Sequence, residues 1–73
     1  MDLDIQDSLE EIFKNIKIEV EYLEFRRYQI RIVVDAGEYI ITFKYDANLT
    51  YEKNIDIIEK EIEKCILDYY IRK

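Results

Sequence analysis

Apolar residues in this chain recur at helical spacing near both ends and at every second position in between. That double change of period leaves few folds open. Ile5, Leu9, Ile12, Phe13 and Ile16 share one helical face, with Asp7, Glu10, Glu11 and Lys14 on the other side, which predicts a helix over about residues 3–16. Ser8 and Glu11 have capping-box spacing, but Asp2 or Asp4 is the more natural N-cap because Ile5 already belongs to the stripe. Three alternating runs follow: Ile18-Val20-Tyr22, Tyr28-Ile30-Ile32-Val34 and Tyr39-Ile41-Phe43-Tyr45. Glu24-Phe25-Arg26-Arg27 reads as a turn, because the alternation slips by one residue there. Asp35-Ala36-Gly37-Glu38 reads as a tight hairpin, with Gly37, the only glycine, expected to supply its positive φ.

From about Thr50 the helical period returns. Tyr51, Ile55, Ile58, Ile62, Cys65, Ile66 and Tyr69 form one stripe, and Asn48 or Thr50 is placed to cap the helix. A helix of about 21 residues is about 31 Å long, against about 23 Å for a seven-residue strand. Its end should overhang the sheet, carrying Leu67, Tyr70 and Ile71 away from the core as a candidate self-association patch. The fold class expected is α+β in the order α-β-β-β-α: a three-stranded antiparallel meander with two helices on one face. No linker or repeat interrupts it, so residues 1–73 read as a single domain.

The chemistry of catalysis is thin. There is no histidine, and a nucleophile would have to be Ser8 or Cys65, neither with a base to activate it. One cysteine excludes an internal disulfide, and one glycine cannot build a phosphate-cradling loop. Paired carboxylates such as Glu19 and Glu21 fall on wet faces, whereas acid–base catalysis needs two carboxylates in contrasting environments. The expectation is a protein that is not an enzyme and uses no cofactor or metal. No apolar run approaches the roughly 20 residues of a membrane span, so no membrane partner is expected and the expected compartment is the cytoplasm.

Net charge is −6, unevenly spread: residues 1–25 hold eight acids and two bases, 26–45 two and four, 46–73 seven and five. Direct nucleic-acid binding requires a basic footprint, which this distribution lacks. A basic partner surface suits it, including that of a protein that itself binds nucleic acid. Glu52, Asp56, Glu59 and Glu63 line one flank of the last helix, and Asp4, Asp7 and Glu11 a row on the first. Lys53, Lys60 and Lys64 stand near the former row and would balance part of it. Asp35 and Glu38 flank the hairpin, where two acids would suit a partner's paired arginines, although a turn aspartate also bonds its own backbone. The basic cluster Arg26, Arg27 and Arg31 is expected to pair with Glu19, Glu21 or Glu24 rather than hold an anion. Tyr28, Tyr39, Tyr45, Tyr51 and Tyr69 fit inward or half-buried positions, where core packing is their expected role.

The stretch Ile30-Arg31-Ile32-Val33-Val34-Asp35-Ala36-Gly37-Glu38-Tyr39-Ile40-Ile41, with the element order and the acidic balance, resembles the small phage-encoded anti-CRISPR proteins that inhibit Cas9. The resemblance implies an α+β DNA mimic that blocks the DNA-binding groove of a CRISPR effector nuclease. It also implies that Asp35 and Glu38 face the arginines with which that nuclease reads its PAM. The family's further acidic C-terminal helix has no counterpart within residues 1–73. The element order also resembles double-stranded-RNA-binding domains, but Thr50-Tyr51-Glu52-Lys53 lacks their basic helix start. A homodimeric adaptor joined through the last helix is the alternative expectation.

Overall fold

The computed structural model describes residues 2–35 and 37–72. Its elements run α1 (Asp2–Ile12), β1 (Lys17–Tyr22), β2 (Arg27–Val34), β3 (Gly37–Lys44) and α2 (Tyr51–Arg72). The strands form one antiparallel sheet in the order β1-β2-β3, the expected α+β meander. Ile18 faces Ile32 and Val20 faces Ile30 across β1 and β2, while Ile30 faces Ile41 and Ile32 faces Tyr39 across β2 and β3. These side chains share one side of the sheet because strand side chains alternate with a period of two.

Both helices cover that side. Ile5 and Leu9 from α1, and Ile55, Ile58 and Ile62 from α2, complete the core with Ile18, Ile30, Ile32 and Val34. Ile58 and Ile62 are fully buried, each contributing about 1.5–3 kcal/mol of apolar burial. Lys17, Glu19, Arg31, Glu38, Ile40, Thr42 and Lys44 project from the opposite, uncovered face of the sheet.

Four details depart from what the spacing predicts. First, α1 ends at Ile12, not at residue 16; Phe13 N–H donates the last helical bond to the Leu9 carbonyl at 2.9 Å. Phe13 and Ile16 still pack against the core from the connection, but Ile12 is 41% exposed. Helical spacing and a chain that drops toward a strand both return side chains to the core, so the periodicity ran past the true end. Second, Asp2 and Asp4 both lie inside α1, so Asp4 is no cap. Third, Tyr22 is exposed on the rim and packs edge-on against Tyr28, with ring centroids 5.2 Å apart.

The fourth concerns Gly37. Its φ is not positive; among the described residues of that hairpin the left-handed one is Asp35, with φ 52°. Gly37 begins β3 opposite Val34, and a Cβ there would lie 2.8 Å from Tyr69 Cε1. The position needs glycine for the close approach of a ring from α2, a tertiary reason rather than a local one. The β1–β2 turn holds two further left-handed residues, Phe25 (φ 52°) and Arg26 (φ 63°), closed by a 3.0 Å bond from Arg27 N–H to the Glu24 carbonyl.

α2 is capped as expected: Thr50 Oγ1 accepts from Lys53 N–H at 3.1 Å. The loop before it is held by Asn54, a fully buried polar residue that the apolar pattern gave no reason to single out. Its Oδ1 accepts from Asp46 N–H at 2.8 Å, and its Nδ2 donates to the carbonyls of Asp46 (3.0 Å) and Thr50 (2.9 Å). α2 has 22 residues, and the molecule is 37 Å along its longest axis. Leu67 (61%), Tyr70 (55%) and Ile71 (73%) are exposed near its end. No described helix is long and apolar enough to cross a membrane.

Candidate partner-binding surface

The two acidic rows read separately from the sequence meet in part: one acid of the first and three of the second share a groove. Glu11 of α1 and Glu52, Asp56 and Glu59 of α2 line one groove of about 390 Å3 between the helices, with Ser8, Ile12, Tyr51 and Ile55. The packing of α1 and α2 on one sheet face brings Glu11 across from three acids of the α2 row, while Asp4 and Asp7 stay outside this groove. Tyr51 fixes one end: its hydroxyl donates to the Asp4 carbonyl at 2.7 Å and lies 2.7 Å from Ser8 Oγ. Ile12 and the buried Ile55 give the groove an apolar component between its acidic banks.

None of Glu11, Glu52, Asp56, Glu59 or Glu63 takes part in an ion pair among the described residues. Lys64, expected to balance this row, pairs instead with Glu61 at 3.7 Å. Glu63 continues the row beyond the groove lining. Such a channel suits long cationic side chains: the aliphatic stem of a lysine or arginine lies on the apolar part while its head meets carboxylates.

The hairpin acids are not the equivalent pair the sequence suggests. Glu38 lies on the uncovered sheet face, where its Oε1 accepts from Arg31 Nε at 2.9 Å. Arg31 also reaches Glu19 at 3.3 Å, so it bridges both outer strands. Asp35 stays exposed at the turn. Arg27 pairs with Glu24 at 3.6 Å, so two of the three clustered arginines are engaged by carboxylates of the sheet and its turn, in agreement with the ion-pair reading.

The tyrosines yield a feature that residue-by-residue reading missed. Tyr22, Tyr28, Tyr45 and Tyr51 surround a recess of about 370 Å3 with Asp4 and Arg26 among its lining. Tyr51 lines both this recess and the acidic groove, so the two adjoin. Periodicity placed Tyr28, Tyr45 and Tyr51 inward or half-buried; it could not show that these three and Tyr22, from three elements and a loop, leave a gap rather than fill one.

The surroundings of Tyr39 and Cys65 shift both groups. Desolvation, then the neighbouring Asp68 carboxylate that accepts from its hydroxyl at 3.3 Å, raise the Tyr39 phenol above its ordinary value. Burial, then Glu61 and Asp68, raise the Cys65 thiol, which makes it a poor nucleophile packed beside the core. Among the described residues, no cluster of three or more histidine, cysteine or acidic side chains is arranged to hold a metal ion.

Fold and surface together define a compact α+β domain with an acid-banked groove on its helical side. No family model, curated protein or solved structure matches this chain.

Proposed function

We propose that this protein is a binding protein rather than an enzyme: a phage-type inhibitor that mimics nucleic acid and blocks the DNA-binding groove of a Cas9-like CRISPR effector nuclease. The observation that supports this reading best is the convergence of Glu11, Glu52, Asp56 and Glu59 on one groove with no internal cation in an ion pair with them. A nucleic-acid-binding surface presents lysines and arginines that normally meet phosphates. Carboxylates on adjacent helical turns, about 5–6 Å apart at Cβ, offer it a comparable line of charge. The adjoining tyrosine recess supports a protein partner, since aromatic faces and a carboxylate such as Asp4 accept guanidinium groups. The groove carries more of the proposal than the hairpin does, because Arg31 already engages Glu38.

The test is inhibition of target cleavage by a purified Cas9–guide complex at low and high salt. Neutralising Glu52, Asp56 and Glu59 together to Gln, Asn and Gln should abolish inhibition and flatten its salt dependence. Asp35→Asn with Glu38→Gln should have the smaller effect. Unchanged inhibition by the triple variant would remove the groove from the reading, and no inhibition by the parent would remove the nuclease.

The second reading is a homodimeric adaptor associating through the end of α2, favoured by the exposure of Leu67, Tyr70 and Ile71. Leu67→Ser with Ile71→Ser would then give monomers, measured by light scattering.

A further inference from the structure

The two edges of the sheet are unlike. Leu23 N–H donates to the Arg27 carbonyl at 2.8 Å, and Tyr45 N–H donates to the Arg26 carbonyl at 2.8 Å. With the registers on either side of β2, these bonds fix which backbone groups face which neighbour. Odd-numbered residues of β2 bond to β1 and even-numbered ones to β3. The outward groups of β1 therefore belong to Ile18, Val20 and Tyr22, and those of β3 to Glu38, Ile40, Thr42 and Lys44.

On the β1 side, Gln6 of α1 reaches over the edge, its Oε1 accepting from Val20 N–H at 3.3 Å. On the β3 side, no group among the described residues bonds the outward N–H of Glu38, Ile40, Thr42 or Lys44, and all four side chains are exposed. The edge is eight residues long, in unbroken register with β2, and contains no proline. Natural sheets protect such an edge with a bulge, a proline, a covering segment or charged side chains; here Glu38 and Lys44, near its two ends, are the charges on it.

We propose that β3 pairs with β3 of a second copy of this chain, joining two sheets into one of six antiparallel strands. Only registers that oppose outward groups to outward groups can bond, which restricts the slip to steps of two residues in either strand. Charge then selects one. With the two-fold axis at Ile41, Glu38 stands opposite Lys44 of the second copy, twice over, and Ile40 opposite Thr42. On the covered side, Tyr39 stands opposite Phe43, and Ile41 opposite itself. Moving the axis to Ile40 sets Glu38 against Thr42, and moving it to Thr42 sets Lys44 against Ile40; both lose the pairing. Lys44 has no carboxylate partner among the described residues, so the self-complementary register supplies one.

An axis normal to the sheet keeps both helical layers on one side. The pair would carry two acidic grooves on a single body of charge −12, twice the −6 of one chain. The end of α2 packs near the start of β3, through Tyr69 at Gly37 and Asp68 at Tyr39, so variants on each surface are needed to separate the two modes.

Sedimentation equilibrium of the full chain should give 18 kDa, twice the 9.0 kDa of one copy. Thr42→Pro removes an N–H that points to the edge and bonds no described residue of the monomer, so it should halve the mass and leave the circular dichroism unchanged. Lys44→Glu should also dissociate the pair, because the new carboxylate would face Glu38 of the second copy. It leaves the Arg31–Glu38 ion pair intact and decides the matter if the proline variant does not fold. A parent mass of 9.0 kDa throughout the concentration series would overturn the proposal. So would a dimer that survives both Thr42→Pro and Lys44→Glu but is lost in Leu67→Ser with Ile71→Ser.

Discussion

Replacing Gly37 by alanine adds one methyl group, and two effects of opposite sign decide the outcome. Alanine restricts the unfolded chain and, where the native backbone accepts it, stabilises by about 0.4–1 kcal/mol. Gly37 has no positive φ, so the backbone accepts it. Against this, the new Cβ would sit 2.8 Å from Cε1 and 3.1 Å from Cδ1 of Tyr69. That ring is half-buried against the core and also packs edge-on with Tyr70, so it cannot swing away freely. Overpacking of this kind costs about 1–3 kcal/mol. The net expectation is a loss of about 0.5–2 kcal/mol, or several degrees in Tm for a domain of this size. Urea denaturation of Gly37→Ala, Tyr69→Ala and the double variant would measure it. In the Tyr69→Ala background, Gly37→Ala should be neutral or stabilising, because only the entropic term survives. An equal loss in both backgrounds would refute the reasoning and return the glycine to a backbone role in the turn.

Asn54→Ala should cost about 2–4 kcal/mol in the same assay, since it strips partners from Asp46 N–H and from the Asp46 and Thr50 carbonyls around a fully buried site; a loss below about 1 kcal/mol would contradict that account. Phe25→Asn with Arg26→Gly should raise stability by about 1 kcal/mol, because both positions are left-handed and Phe25, 76% exposed, gives up little burial; a fall in Tm would show that the ring packs in solution. Tyr39 has a raised pKa in the folded state, so the protein binds that proton more tightly than the unfolded chain does. Its contribution to stability is complete below the ordinary tyrosine pKa of about 10 and is lost as pH rises through the folded value. Tyr39→Phe should therefore flatten the alkaline end of a Tm-against-pH profile, and an unchanged profile would exclude the effect.

The elements of this fold were legible because their signals are local. A period of two requires a strand with one buried face, and the run from Tyr28 to Val34 reads no other way; its register with both neighbours follows the expected meander. Thr50 caps α2 for a reason contained in one turn of chain. The end of α1 was not legible, since Ile12, Phe13 and Ile16 satisfy helical spacing whether or not the backbone stays helical. Asn54 was hidden for a related cause: a buried amide carries no apolar signature, and its three partners lie in a loop whose path the sequence does not state.

By itself, then, the sequence determined the order of elements, the faces that must be buried and the sign of the charge on what remains. Those properties depend on spacing along one element and on side-chain chemistry. Tertiary structure alone decided that Glu11 would share a groove with Glu52, Asp56 and Glu59, that Glu38 would be engaged by Arg31, and that Gly37 would make room for Tyr69. Each of these joins residues distant in sequence through the relative placement of elements. Periodicity fixes the face an element presents, but not the neighbour that it meets.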